Sequence, residues 1–553
     1  MKRALLEKRL RGAGRKSPAG GEIATGGEGV DRPLSFTQEQ VWYLNQLQPD
    51  SPYYNVPAAL RLAGALDVDA LHRTLSEIVR RHAVLRSRVS LTGGEARARV
   101  LPAAERVELP VDSLEHLPHE EREEEARRIV AAEARRPFDL VGGPPCRFRL
   151  IRMGPGDHAF TVNLHFMAVD AWSWGVFFHE LDRIYEAYER GLPSPFPELP
   201  LQYPDFAEWQ RNNLQAEVLE RHLRFWRERL AGAPEALELP TDLPRPALPS
   251  FRGDAVRLTI PEALTAAIRE RSAREGTTPF APILAAYAVA LAELAGDREV
   301  MVGSLTTTRT RTDLEGLIGL FLNAQPLRIR MEGAPTFREV MGRVRQEALE
   351  AYEHRELPLE KLTAEVVTNR DLSRHPLFQA AFVYQAYVAT NAPAPRGVGS
   401  VGMRAFGGKL LALVHSGTSK YDLTLALSSA TSIYDGQLEY STDLFHPSTA
   451  EALVERFMTV LAAGIADPDR SVWELAPEPM PEPRAPQPLA GEAGLAERFA
   501  RLAQEAPDAA AVREAGRSWS FAELQRDAER VAGFLRSRGV RRVAVVAPAG
   551  APA

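Results

Sequence analysis

Two periodicities alternate along the chain. Tyr54–Leu62 (YNVPAALRL) alternates like a strand. Asp67–Arg81 then sets Val68, Leu71, Leu75, Ile78 and Val79 on one helical stripe. Glu120–Arg136 is a charged helix with a solvated face, closed by Pro137 and the Gly142-Gly143-Pro144 turn, and Cys146–Met153 is a strand. His158–Leu164 is an apolar-rich run of strand character. It leads into His165, a short loop with Asp170, and an aromatic amphipathic helix from Trp172. Helices over Pro261–Glu275 and Pro279–Ala295 precede a strand over Glu299–Ser304, so the second half repeats the mixed character of the first. The pattern predicts an α/β protein.

The flanks follow other rules. Lys2–Arg11 carries Leu5, Leu6 and Leu10 among basic residues, a short amphipathic helix that either docks a partner or is a solvated tail. Gly12–Gly29 reads as a flexible linker, with order beginning at Arg32. Six prolines between Pro477 and Pro488 mark an inter-domain linker.

Composition narrows the class. A chain of 553 residues exceeds one compact domain. A net charge of -6 argues against nucleic acid as the main partner. One cysteine, Cys146, rules out an intramolecular disulfide framework and fits a reducing compartment. No apolar run is long enough to span a membrane, and the basic N-terminus lacks a signal-peptide core, so a cytoplasmic protein is expected. No histidine shows metal spacing.

A polar pair at a strand end, with apolar residues on both sides, is where a buried site is built. Alone, His165 beside Phe166 reads as a satisfied core histidine, since buried polar groups usually find partners. Other segments change that weighting. His165-Phe166-Met167-Ala168-Val169-Asp170-Ala171-Trp172-Ser173 resembles the His-His-x-x-x-Asp-Gly signature and following Trp-Ser of the condensation domains of nonribosomal peptide synthetases. Phe166 replaces the second His, and Ala171 the Gly. Ser35–Trp42 resembles the family's first motif, and Ser35 can cap a helix whose face carries Val41, Leu44 and Leu47. Arg81-His82-Ala83-Val84-Leu85-Arg86-Ser87 resembles the second motif and Tyr203–Trp209 the fourth. Arg309-Thr310-Arg311 through Asn323 resembles the fifth, His354–Leu362 loosely the sixth, and Arg370–Gln379 the seventh. Ser419-Lys420-Tyr421-Asp422-Leu423 opens a strand in the family's usual place. Beyond the Pro-rich linker, Ser520-Phe521-Ala522-Glu523-Leu524 resembles the opening of an adenylation domain without its phosphate loop.

The resemblance implies two chloramphenicol-acetyltransferase-like lobes in a V around a central tunnel. The implied layout is a tail over 1–31, an N-terminal lobe over 32–205, a C-terminal lobe over 206–475, a linker over 476–490 and a truncated adenylation start over 491–553. It implies carrier-protein partners upstream and downstream, an adenylation domain in cis, substrates held on phosphopantetheine and no directly bound cofactor. By the same resemblance Arg86, with Arg81 second, is expected to pair with Asp170, and Trp172, Ser173 and Asn323 to be structural.

In the family the acceptor amine attacks the donor thioester, and the second His acts as base or positioning group. An amine that attacks must shed a proton, and imidazole suits that task. Phe166 has no titratable proton. If Leu164–Phe166 is extended, His165 faces away from the tunnel and does not replace the missing base. Ala171 matters only if its position needs φ > 0. Two readings stay open: a condensation domain forming amide bonds at an impaired rate, and a silent scaffold that recruits a partner. A third, acyl transfer from coenzyme A, is weaker because it uses the same missing His.

Overall fold

The structure, a computed structural model, describes residues 23–27, 29–367, 371–385, 397–398, 401–405, 417–428 and 433–476, with 504, 507–508, 510–514 and 517–526. The basic segment Lys2–Arg11, Arg370 and the Pro477–Pro488 linker lie outside the described residues. The chain forms two units, Met1–Pro483 and Arg484–Ala553.

The first unit holds two six-stranded sheets. At the centre of the first, Asp157–His165 pairs antiparallel with Asn55–Ala63 on one side and Cys146–Gly154 on the other. Its even positions, Phe160, Val162 and Leu164, pack with Leu71, Leu75 and Ile78 of the helix Val68–Arg81 and with Phe177 and Leu181 of the helix Ala171–Glu189. Its odd face, at Ala159, packs with Ala126 and Val130 of the helix His119–Arg135. With both faces covered, the strand is buried along its length although its odd positions include Thr161 and Asn163.

The second sheet runs Leu322–Arg330, Glu299–Thr307, Ala380–Gln385, Leu423–Ser428, Tyr434–Ser441 and Gly253–Ile260. The helix Phe280–Ala295 is buried almost all round, as expected of a segment whose one charged residue is Glu293. It ends at Gly296 with φ of 67°, a left-handed cap that a Cβ would strain. This two-sheet α/β architecture agrees with the fold class read from the sequence.

Two boundaries need correction. The hairpin Gly397–Val398 and Val401–Ala405 belongs to the second half of the sequence, yet Gly402–Ala405 pairs antiparallel with Leu60–Ala63 of the first sheet. A cut at 205/206 therefore does not separate the lobes. The lower edge moves as well. Ile23 is 5% exposed in the first core, and the Gly26 N–H donates to Asp205 Oδ1 at 2.9 Å, so order begins before Arg32. Composition suggests a linker here because glycines hide the one apolar anchor.

In the second unit, Ala510–Glu514 pairs antiparallel with Arg517–Ser520. Ser520 and Glu523 then exchange backbone-to-side-chain hydrogen bonds at 2.9 and 3.2 Å, a capping box for helical residues 521–526.

Candidate active site

The central strand stops at His165, and Phe166–Ala168 coil into one 3-10 turn. His165 caps this turn: its Nδ1 accepts the Met167 N–H at 3.2 Å, which leaves the ring proton on Nε2. His165 is 1% exposed, and its ring sits 5.7 Å from that of Phe138 and 5.9 Å from that of Tyr54. Burial pushes its pKa down to about 3, with the charges of Lys420 and Arg147 adding to the effect. A histidine so held stays neutral and takes up no proton near pH 7. The turn is anchored from the first motif, where Gln38 Nε2 donates to Met167 O at 2.9 Å. Ser35 caps that helix, as read, but Leu44 and Leu47 are 37% and 76% exposed rather than packed.

Asp170 begins the next helix as its N-cap. Its Oδ1 accepts from Ser173 N (2.8 Å) and lies 2.7 Å from Ser173 Oγ, while Oδ2 accepts the Phe321 N–H (3.1 Å). Its ion-pair partner is Arg309, whose Nη2 lies 3.1 Å from Oδ1. This corrects the expectation of Arg86 or Arg81. Arg81 pairs instead with Glu180 at 3.0 Å, and Arg86 donates to Leu101 O. The reason is geometric. Asp170 caps its helix on the side where the 309–321 segment crosses, whereas Glu180, nearly three turns further on, faces the Val68–Arg81 helix. Arg309 is fixed by the carbonyls of Leu314 (2.9 Å) and Leu317 (3.0 Å), and its guanidinium lies 3.8 Å from the centre of the Phe321 ring.

The remaining motif residues are supports. Ser173 Oγ accepts from Gly319 N (3.0 Å), and Trp172 Nε1 donates to Glu315 O (2.8 Å). Tyr203 OH lies 2.9 Å from Ser35 Oγ and 2.7 Å from Leu320 O. Asn323 Nδ2 donates to Arg355 O and Leu357 O, and its Oδ1 accepts the Leu359 N–H, which seats the helix Leu359–Val366. Ala171 is the first helical residue and is not among the positive-φ positions, so the missing glycine costs no backbone strain. Trp172, Ser173 and Tyr203 thus tie the first half to residues 315–320, and Asn323 organises the second half.

A cavity of about 1270 Å³ opens between the halves. Tyr53 and Tyr54 line it from the first, and Leu359, Glu360, Lys420 and Tyr421 from the second. Phe166 lies against this wall. Its ring is stacked on Tyr54 (5.9 Å between centroids, 22° between planes), and Lys420 Nζ stands 3.5 Å above its centre. Burial pushes the Lys420 pKa down to about 8, against the pull of Glu439. Burial likewise lifts the Glu360 carboxyl to about 7, and its Oε2 has no hydrogen-bond partner. Sequence patterns mark Lys420 only as the start of a strand and Glu360 only as part of a loose motif. Among the described residues, no group of three or more His, Cys, Asp or Glu side chains could hold a metal ion.

Comparison with known proteins defines the class. Residues 30–478 match the Condensation domain family. The chain is 38% identical over 519 residues to a component of the linear gramicidin synthase of Brevibacillus parabrevis, an alignment covering 92% of this chain and 6% of that protein. Among solved structures it resembles the X-domain from teicoplanin biosynthesis in its complex with OxyB, with a TM-score of 0.70, 27% identity and coverage of 82% of this chain and 98% of that one. The fold is also that of the first condensation domain of the calcium-dependent antibiotic synthetase, with a TM-score of 0.68 at 23% identity over 81% of this chain and 99% of that one. The chain belongs to the condensation-domain family of nonribosomal peptide synthetases, a family that forms amide bonds. It spans a small part of the length of the gramicidin synthase protein it matches. Among the described residues no helix is long and apolar enough to cross a membrane.

Proposed function

We propose that this chain joins a carrier-bound acyl or peptidyl donor to a carrier-bound aminoacyl acceptor, at a rate lowered by Phe166. The carrying observation is the cavity between the halves, whose wall meets the central motif through Tyr54 and Lys420. Two phosphopantetheine-borne ends entering it meet beside Phe166. Orientation of the two thioesters supplies a large share of the rate, and loss of a base costs typically 10²–10⁴-fold. The partners in this reading are an upstream and a downstream carrier protein. Residues 491–553 are read as the start of an adenylation domain, supported by the gramicidin synthase match, which extends beyond residue 478.

A second reading, a silent scaffold that recruits a partner, is favoured by a specific likeness: the X-domain resembled here was solved as a complex with OxyB. A single-turnover assay with preloaded carrier proteins separates the two. Amide formed by the wild type supports condensation. Amide formed by Phe166→His alone shows an intact cavity that lacks only a base. Silence from both favours the scaffold.

A further inference from the structure

Amide formation is faster with a group placed to take the proton that the attacking amine loses. His165 is excluded: it is 1% exposed, its ring is enclosed by those of Phe138 and Tyr54, and it stays neutral. Of the titratable groups lining the cavity, Asp422 is committed to Arg245 and Arg374 to Glu238 and Asp371. His375 is buried against Phe378 and Tyr421, with its pKa pushed down to about 4. Glu235, Glu360 and Lys420 remain, and of these Lys420 is the one set against the central motif, over the Phe166 ring.

Lys420 stands where the motif presents its missing group. Its Nζ is 3.5 Å from the centre of the Phe166 ring, 5.5 Å from that of Tyr54 and 6.0 Å from that of Tyr53. This aromatic cradle leaves the amine half-buried on the cavity wall. Resting on the condensation reading above, we propose that Lys420 is the proton acceptor for the attacking amine, a lysine base presented on Phe166 in place of an imidazole.

In this step the acceptor nitrogen attacks the donor carbonyl carbon, the N–C bond forms and the carbonyl electrons move to oxygen. The nitrogen's proton passes to neutral Lys420 Nζ. The oxyanion then collapses, the C–S bond breaks, and the Lys420 ammonium returns its proton to the departing pantetheine thiolate. No other reactant enters. Phe166 has a part in this cycle, because the ammonium formed midway lies over an aromatic face that attracts it.

The surroundings set the working pH. Glu439, on the strand Tyr434–Ser441, accepts the Lys420 backbone N–H at 3.4 Å and favours the ammonium. Tyr53 and Tyr54 face Nζ from the first half, and burial raises both of their pKa values, so they stay neutral. Buried His165 is neutral as well. Tyr421 adjoins Lys420 in sequence, and Glu360 acts on Tyr54 and Tyr421 from the helix Leu359–Val366. The lysine thus titrates to its free-amine form at about pH 8.

The test is single-turnover condensation by the full chain, with an N-acetyl-leucyl donor carrier protein and a panel of aminoacyl-loaded acceptor carriers. Lys420→Met is expected to slow it by about 10²–10⁴-fold. Lys420→Arg is expected to lose as much, since a guanidinium keeps the charge but cannot take a proton. The wild-type rate should rise with pH to a plateau, with a midpoint near 8 that needs no variant to observe. Retention of the rate by Lys420→Arg, or loss on Glu360→Gln without loss on Lys420→Met, overturns the assignment and leaves the condensation reading standing. A wild type silent across the whole panel overturns both.

Discussion

Asp170 and Arg309 meet at 3.1 Å, their side chains 3% and 1% exposed, and join the capped helix of the central motif to the 309–321 segment. Neither is free for chemistry. Asp170 spends its oxygens on Ser173, Phe321 and Arg309, so it locks the turn that carries Phe166.

Removing one member of this pair strands a charge. Arg309→Met should therefore cost about 3–5 kcal/mol, read as a lower midpoint in urea unfolding. A double-mutant cycle of Asp170→Asn with Arg309→Met should show coupling, and one with Arg86→Met should show almost none. Equal coupling to Arg86 would contradict the pairing described.

Gly319 marks the same joint. A Cβ built there comes 2.0 Å from the Tyr203 ring, and both the N–H and C=O of Gly319 face Ser173. Gly319→Ala should destabilise the first unit by roughly 1–3 kcal/mol through overpacking. Thermal melts will show this; an unchanged midpoint would mean that Tyr203 can move aside.

Acid should loosen the fold earlier than carboxylates alone would require. Burial depresses the pKa of His165 to about 3 and of His222 and His375 to about 4, against 6.5 when unfolded. Below pH 6.5 the unfolded chain takes up protons that the folded one refuses. Stability is thus complete above 6.5 and falls as pH drops towards 4, at up to about 1.4 kcal/mol per pH unit for each histidine. Melts at pH 7.5, 6 and 5 should fall progressively, and a flat series would exclude this.

Glu360 has the opposite sign. Its folded pKa of about 7 lies above the 4.5 of the unfolded carboxyl, so its contribution is present below 4.5 and is lost as pH rises to 7. Glu360→Gln, which mimics the neutral acid, should stabilise by about 1–3 kcal/mol at pH 8 and change nothing at pH 4. Equal effects at both would show that packing, not charge, is what the substitution alters.

Local pattern carried the elements and failed at the partnerships. The strand and the Asp170 cap are set by neighbours in sequence, but the expectation of an extended Leu164–Phe166 fails at Phe166, which opens a 3-10 turn capped by His165. Arg309 lies 139 residues from Asp170, and nothing in a helical or strand period links them. The Arg-His-x-x-Leu-Arg motif offered nearer arginines, but Glu180 had a stronger claim on Arg81 because it faces it across two packed helices. Lys420 was invisible for the same reason: a lysine at a strand start is ordinarily a solvated residue, and only tertiary packing sets it on Phe166.

The hairpin that closes the first sheet has a consequence in time. During synthesis, Asn55–Ala63 leaves the ribosome more than 330 residues before Gly402, its partner at Ala63. At about 5–20 residues per second that gap lasts roughly 20–70 s. Throughout it, Leu60–Ala63 is a bare edge able to recruit a stray strand from another nascent chain. Any engineered exchange of one half of this chain prolongs that exposure without limit unless residues 397–405 travel with the half they complete.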